Sequence, residues 1–235
     1  MRLSAPIFRL KRKAKAIARQ ENIPLNAALD RIACSEGFAN WGQLASSYRR
    51  SGPEDALLRE LQPGQMLLLA ARPGQGKTVL GLQLGFDAAK RGGRSFFLSS
   101  ECSAQEVRSA LALGGRTKEK SEGFETVLTD SLNADAVVKV LSEASEGALG
   151  VIDYLQILDQ MRTAPELSAQ IQTLKRFAQT RRVRLVFLSQ IHRSFDPAVK
   201  DVPDWSDIRL PNPLDLSLFD KGCFLHEGEM VITTN

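Results

Sequence analysis

Residues 70–78, AARPGQGKT, decide how the fold of this 235-residue chain is interpreted. The stretch ends in the Gly-Lys-Thr of a phosphate-binding loop and lies between an apolar run and a helix-like amphipathic segment. The full pattern, Gly-x-x-x-x-Gly-Lys-Ser/Thr, also requires a glycine at the position of Ala71. Taken alone, the stretch is open to three interpretations: a working nucleotide site, a relic of one, or a chance match.

The loop has the composition needed to hold a phosphate. In such loops successive backbone N–H groups curl around the β-phosphate at the positive end of the next helix. Gly74 and Gly76 leave room for that approach. Lys77 is long enough to reach the β- and γ-phosphates, and the Thr78 hydroxyl can ligate Mg²⁺. We predict an ATP and Mg²⁺ site here, the alternative being a glycine-rich turn without a ligand; the predicted cofactor-binding residues are Arg72, Pro73, Gly74, Gln75, Gly76, Lys77, Thr78 and Val79.

Polar side chains follow three apolar runs farther along the chain. Asp153 ends one run, at a distance from Lys77 compatible with neighbouring strands, and is the second predicted metal ligand beside Thr78. Glu101 ends another and is a candidate base for activating water, or else a surface glutamate at a helix start. Gln190 ends the third, where its amide could contact a γ-phosphate. The predicted catalytic residues are Lys77, Glu101 and Gln190.

Apolar, β-rich runs alternate with amphipathic segments after residue 52. This alternation predicts an α/β domain with a mostly parallel central sheet covered by helices on both faces. Before it, three short amphipathic segments predict a small all-helical appendage, residues 1–51, which we call the head. The predicted strands are residues 66–71, 95–99, 150–155, 185–189 and 222–225; the predicted helices are residues 8–20, 25–35, 41–48, 77–91, 104–113, 134–144 and 166–181.

Composition excludes several classes of protein. With 43% hydrophobic and 25% charged residues, the chain has the profile of an ordinary globular protein rather than a disordered or collagen-like one. No apolar run approaches the roughly 18 residues of a membrane span, and no apolar segment follows the basic N-terminus as in a signal peptide. We therefore expect no membrane association and a cytoplasmic protein, whose three separated cysteines stay reduced.

Positive charge is concentrated in the head. Through Gly52 the chain has ten Lys or Arg and three Asp or Glu, a net charge of +7, whereas the whole chain carries +4 and the remainder therefore −3. A basic head on a mildly acidic body indicates an anionic partner such as nucleic acid. The alternative is a helix face whose Lys and Arg side chains are simply solvated.

Five ordered blocks resemble the C-terminal ATPase domain of the replicative DnaB-type DNA helicases, a branch of the RecA-like family. The similarity runs from about Gly52 to Met230 and includes a phosphate loop that opens with Ala-Arg-Pro in that family. The other blocks are FFLSSECSAQEV, VIDYLQIL, LVFLSQIHRS and WSDIR. The resemblance implies a RecA-like P-loop fold over residues 52–235.

The resemblance also implies roles for the matching residues. Lys77 and Thr78 would bind phosphate and Mg²⁺, and Asp153 would hold the Mg²⁺ shell. Glu101 would activate the attacking water, and Gln190 would sense the γ-phosphate. Arg193 matches the family's arginine after that glutamine and is counted among the cofactor-binding residues.

The chain departs from the family near its C-terminal end. The helicases carry a Lys-x-Arg on a late strand, whose arginine completes a neighbouring subunit's site, whereas this chain ends EMVITTN. Three functional hypotheses follow. The first is an ATPase acting on single-stranded DNA; the second is a nucleotide-binding or DNA-binding module that self-associates or docks on replication proteins without turnover. The third is a small-metabolite kinase, for which residues 116–120 are the one candidate lid.

Overall fold

The computed structural model describes residues 4–5, 7–50, 52–113, 122–159, 166–210 and 212–235, so the candidate lid lies outside the described residues. Contacts between Cα atoms divide the chain into two compact units, Met1–Pro53 and Glu54–Asn235. We describe each unit by itself. None of the helices in the described part is long and apolar enough to cross a membrane.

The described part of the first unit contains three helices: α1 (Ile7–Gln20), α2 (Leu25–Ser35) and α3 (Trp41–Arg50). Their apolar stripes meet in a small core of buried Leu10, Ala14, Ala28 and Ile32. After α2 the chain turns at Gly37, which has a φ of 85° that favours glycine. The all-helical character predicted for the head is confirmed over its described residues.

The second unit is built on a seven-stranded sheet with the strand order β3-β2-β4-β5-β1-β6-β7. Of the paired strands in the described residues, β6 and β7 alone run antiparallel. The strands are β1 (Met66–Ala71), β2 (Ser95–Ser99), β3 (Phe124–Leu128), β4 (Leu149–Asp153), β5 (Arg184–Gln190), β6 (Lys221–His226) and β7 (Glu229–Thr234). The helices are α4 (Pro53–Glu60), α5 (Lys77–Lys90), α6 (Ala104–Leu113), α7 (Ala134–Leu141) and α8 (Leu167–Arg181), and three short 3-10 helices span Leu155–Asp159, Trp205–Asp207 and Leu216–Leu218.

The inner strands form because their side chains are apolar on both faces. Every residue of β1, β2 and β4 is buried, and the two faces of the sheet carry separate hydrophobic clusters. This is the pattern of a parallel sheet covered on both sides. The predicted α/β class and mostly parallel sheet are confirmed, whereas β3, β7 and α4 were not predicted.

Helix α5 lies unusually close to the sheet, and this positions the loop before it. A Cβ on Gly81 would come within 3.1 Å of side-chain atoms of Leu188 and Val151, and one on Gly85 within 2.7 Å of the Phe124 ring. The chain runs from β1 through α5 to β2, past β5 and β4. The carboxyl ends of these four strands therefore meet at one edge, where open α/β sheets bind ligands.

Candidate nucleotide-binding site

The loop between β1 and α5 is shaped as an anion cradle. Gly74 and Gly76 have φ values of 79° and 83°, in the left-handed region that glycine adopts at little cost. A Cβ on either residue would meet nothing within 4 Å, so the backbone conformation, not crowding, requires glycine. Gly76 precedes α5 without any side-chain cap. The first N–H groups of the helix are therefore available to an anion.

Asp153 carries the buried charge of the site. It ends β4 with 2% of its surface exposed, and its Oδ1 atom has no hydrogen-bond partner. Burial raises the pKa of Asp153 above its ordinary value; the Lys77 charge and hydrogen bonds from Thr78 and Cys102 oppose that rise. Lys77 and Thr78 of the loop thus face this carboxylate. Strand β5 nevertheless lies between β1, which leads into the loop, and β4, which ends at Asp153. The expectation of neighbouring strands was wrong: β4 pairs with β2 and β5.

These groups fit a hard divalent cation. Mg²⁺ prefers oxygen ligands and is held by one or two carboxylates together with substrate phosphates. Asp153 offers an unpartnered oxygen beside the Thr78 hydroxyl. Among the described residues, no cluster of three or more His, Cys, Asp or Glu could hold a metal. The Asp153 carboxylate and the Thr78 hydroxyl supply oxygen donors of the kind Mg²⁺ takes beside substrate phosphates.

The end of β2 brings Glu101 to the same edge. Ser99 pairs with Asp153 across the strands, and its hydroxyl accepts hydrogen bonds from the N–H groups of Glu101 (3.1 Å) and Cys102 (3.2 Å). The Glu101 side chain is exposed. Cys102 Sγ lies 3.7 Å from Asp153 Oδ2, and burial raises the pKa of this thiol. The sequence indicates only a structural role for Cys102, and nothing in its sequence context indicates this contact.

The end of β5 holds Gln190 next to the loop strand. Gln190 pairs with Ala71 in the register of β1 and β5. Arg209 donates from its backbone N–H to the Gln190 carbonyl oxygen at 2.9 Å, and from its guanidinium to Gln190 Oε1 at 3.5 Å. Gln156, which is 6% exposed, donates to Ser189 Oγ at 2.9 Å and to the Arg209 carbonyl at 2.6 Å. The sequence pattern indicates no role for Gln156 or Arg209, although they lie in the blocks VIDYLQIL and WSDIR.

Arg72 and Gln75 turn their side chains toward protein rather than toward the cradle. The Arg72 guanidinium donates to the carbonyls of Arg193 (3.0 Å) and Phe195 and lies 5.3 Å from the Phe195 ring centroid. Gln75 Oε1 accepts from the Glu227 N–H at 2.7 Å, in the β6–β7 turn. At these two positions, the backbone is the part left to contact a nucleotide. Arg193 is exposed, and its carbonyl makes the contact with Arg72.

Solved structures share this architecture. One, described as an ATPase domain, matches with a TM-score of 0.57 and 17% identity, over 78% of this chain and 82% of that one. A DnaB-like replicative helicase, solved to describe its interactions with primase, matches with a TM-score of 0.60 and 20% identity, over 94% of this chain and 67% of that one. The chain has the RecA-like fold of DnaB-type ATPase domains. No protein-family model and no curated protein matches the sequence.

The RecA-like fold gathers the predicted residues at one edge of the sheet. The cradle residues and Val79 belong to the loop or to the first turn of α5, where Lys77 and Thr78 face Asp153. Glu101 follows β2 and Gln190 ends β5, the two strands on either side of β4. Their roles toward a nucleotide remain predictions.

Proposed function

We propose that this chain is a Mg²⁺-dependent ATPase that acts on or near single-stranded DNA. The observation that carries the proposal is the buried, unpartnered oxygen of Asp153 beside Thr78 and Lys77, at the end of a glycine cradle. A buried carboxylate oxygen without a partner is costly even when the group's other contacts compensate part of its charge, and a bound cation would offset that cost. A glycine-rich turn without a ligand gives no reason to bury such a group.

Each residue would have a defined task in hydrolysis. The backbone of residues 73–78 holds the phosphates, and Lys77 neutralises charge on the β- and γ-oxygens. Thr78 and Asp153 would hold Mg²⁺, which when bound supplies charge neutralisation and orientation of those oxygens. As the water oxygen bonds to the γ-phosphorus, the bond from that phosphorus to the β,γ-bridging oxygen breaks. Glu101 takes the proton of the water, and Gln190 contacts the γ-phosphate.

The proposed DNA partner rests on the fold. The two similar proteins are described by name as an ATPase domain and a replicative helicase, and the helicase was solved for its interactions with primase. At 17–20% identity such likeness extends to architecture. By analogy with the helicase, we propose single-stranded DNA as the macromolecular partner, and self-association or docking on a replication protein as a further interaction of the chain.

The test is phosphate release with and without single-stranded DNA. We expect Lys77→Ala to abolish ATP binding, because the lysine charge at the phosphates is lost. We expect Glu101→Gln to keep ATP binding but lower turnover by roughly 10²–10⁴-fold, the usual contribution of a general base. Glu143→Gln, an exposed glutamate on another part of the domain, is the matched control and should hydrolyse ATP normally. Failure of the wild type to bind ATP would overturn the proposal.

A second candidate function is nucleotide-dependent docking without turnover. Strand β7, Glu-Met-Val-Ile-Thr-Thr, contains no arginine, and an arginine supplied to a neighbouring site is worth roughly 10³-fold or more in other phosphoryl-transfer enzymes. Mass measurement in solution with an ATP analogue and single-stranded DNA separates the two functions. A persistent monomer that binds ATP tightly without hydrolysis would favour docking.

A further inference from the structure

The head exposes a row of positive charge on α1. Lys11, Lys15 and Arg19 recur every four residues, which places them within one arc of the helix about 6 Å apart along its axis. All three are exposed, whereas Leu10 and Ala14 on the opposite side are buried in the head's core. We call these three residues the basic row.

The acidic residues of the head are already engaged elsewhere. Glu21 forms an ion pair with Arg31 at 2.5 Å. Asp30 accepts the backbone N–H of Trp41 at 2.8 Å. Hydrogen bonds from Ser4, with the Lys13 charge, hold the pKa of Glu36 below its ordinary value. Within the described part of the chain, none of the three residues of the basic row forms an ion pair, so the row keeps its charge toward solvent.

The spacing of the basic row fits a phosphate backbone. Three charges span about 12 Å along the helix, a length over which a nucleic-acid strand presents several phosphates. A lipid surface fits less well, because a helix lying on a membrane needs an exposed apolar face. On α1 that face is used inside the head, where Leu10 is 3% exposed and Ala14 is fully buried.

We propose that the basic row of the head is a nucleic-acid-binding surface that contacts phosphates without reading sequence. This surface would bind nucleic acid independently of the nucleotide site. The remainder of the chain carries a net charge of −3 and by itself repels nucleic acid, so the attraction has to come from the head. The inference deepens the proposed function by naming the contact surface, and it does not depend on ATP hydrolysis.

The test is fluorescence anisotropy with labelled 30-nucleotide oligo(dT), using the full chain without nucleotide and with EDTA. The variant is Lys11→Gln/Lys15→Gln/Arg19→Gln, since glutamine keeps helix propensity. The matched control, Arg108→Gln/Lys139→Gln/Arg176→Gln, removes three exposed charges from α6, α7 and α8. Circular dichroism and thermal melting check that each variant folds.

Three phosphate contacts contribute about −2 to the slope of log K against log salt, or about 100-fold in affinity between 1 M and 0.1 M salt. We expect the basic-row variant to lose a slope of about 2 and about 100-fold in affinity at 0.1 M salt, and the control to stay near wild type. Each single substitution should lower the slope by about 0.7, which keeps the test valid if the triple variant unfolds.

Two outcomes would overturn the proposal. One is equal loss of affinity in the basic-row variant and the control, which would indicate a general charge effect. The other is binding to phosphatidylserine vesicles through the basic row with no binding to oligo(dT), which would make the partner a membrane. Because the oligo(dT) measurement contains no nucleotide, a wild type that binds oligo(dT) through the basic row but neither binds nor hydrolyses ATP would contradict the ATPase proposal and leave the head proposal standing.

Discussion

Replacing Arg72 with alanine should destabilise the connection between the phosphate loop and the segment after β5. The guanidinium donates to the carbonyls of Arg193 and Phe195 and lies over the Phe195 ring. Hydrogen bonds from a charged donor are worth about 1.5–3 kcal/mol each, and a half-exposed cation–π contact about 1 kcal/mol. Because Arg72 is partly exposed, we expect a loss of about 2–3 kcal/mol in the free energy of unfolding, measured by urea denaturation.

A double-mutant cycle with Phe195→Leu isolates the ring contact. Leucine keeps an apolar side chain at a site that is 3% exposed but removes the aromatic face, so the two substitutions should couple by about 1 kcal/mol. Arg72→Lys should recover part of the loss, since lysine keeps the charge without the planar fork. Phe86→Leu, in a different aromatic pair, is the control and should be additive with Arg72→Ala.

Additivity of Arg72→Ala and Phe195→Leu within about 0.3 kcal/mol would refute the contact. So would weaker ATP binding of Arg72→Ala with an unchanged free energy of unfolding, because that result would place the guanidinium on the nucleotide.

Three further predictions concern packing, buried polarity and pH. Gly222→Ala places a Cβ 2.6 Å from the Trp205 ring and should lower stability by about 1–3 kcal/mol in thermal melts. Gln170→Leu removes the side-chain oxygen that accepts the Ala134 N–H at 3.0 Å, and it removes the side-chain NH₂ that donates to the Leu158 carbonyl at 2.6 Å. Urea denaturation should show a loss of about 2–4 kcal/mol in the free energy of unfolding. Burial raises the pKa of Asp153 above 3.8 in the folded state, so the folded protein holds this proton to a higher pH. The free energy of unfolding of the ligand-free wild type should therefore fall relative to that of Asp153→Asn as pH rises from the ordinary pKa of Asp153 through its raised pKa. A difference between the two proteins that does not change with pH would contradict this.

Local sequence patterns were sufficient where one short segment determines its own structure. Strand β1 is apolar throughout, and the Gly-Lys-Thr after it starts α5, so both elements begin where they were predicted. Helix α4 carries a usable signal, with Pro53 at its first position and two acidic residues in its first turn. The edge strands β3 and β7 lack a buried run, because an edge strand of this sheet packs on few neighbours.

The arrangement of the site depends on strand order, which no local pattern encodes. Asp153 was predicted from its place after an apolar run, but its position beside Cys102 follows from β4 pairing with β2. The direction of the Arg72 side chain was also not predictable from the sequence, because the phosphate-loop pattern specifies backbone conformation and not where this side chain points. Its partner Phe195 is far along the chain. Residue types were therefore predictable, and their contacts were not.

The contact between Arg209 and Gln190 bears on the proposed contact of Gln190 with a γ-phosphate. A phosphate oxygen can only accept hydrogen bonds, so a glutamine that contacts it must present its NH₂ group. The Arg209 guanidinium donates to Gln190 Oε1 at 3.5 Å, the long end of the hydrogen-bond range, and thereby occupies the oxygen of that amide. Gln156 in turn holds the Arg209 carbonyl at 2.6 Å. In the proposed function, the amide NH₂ of Gln190 would thus be left to donate to the γ-phosphate, oriented by Arg209 and Gln156, which lie outside β5.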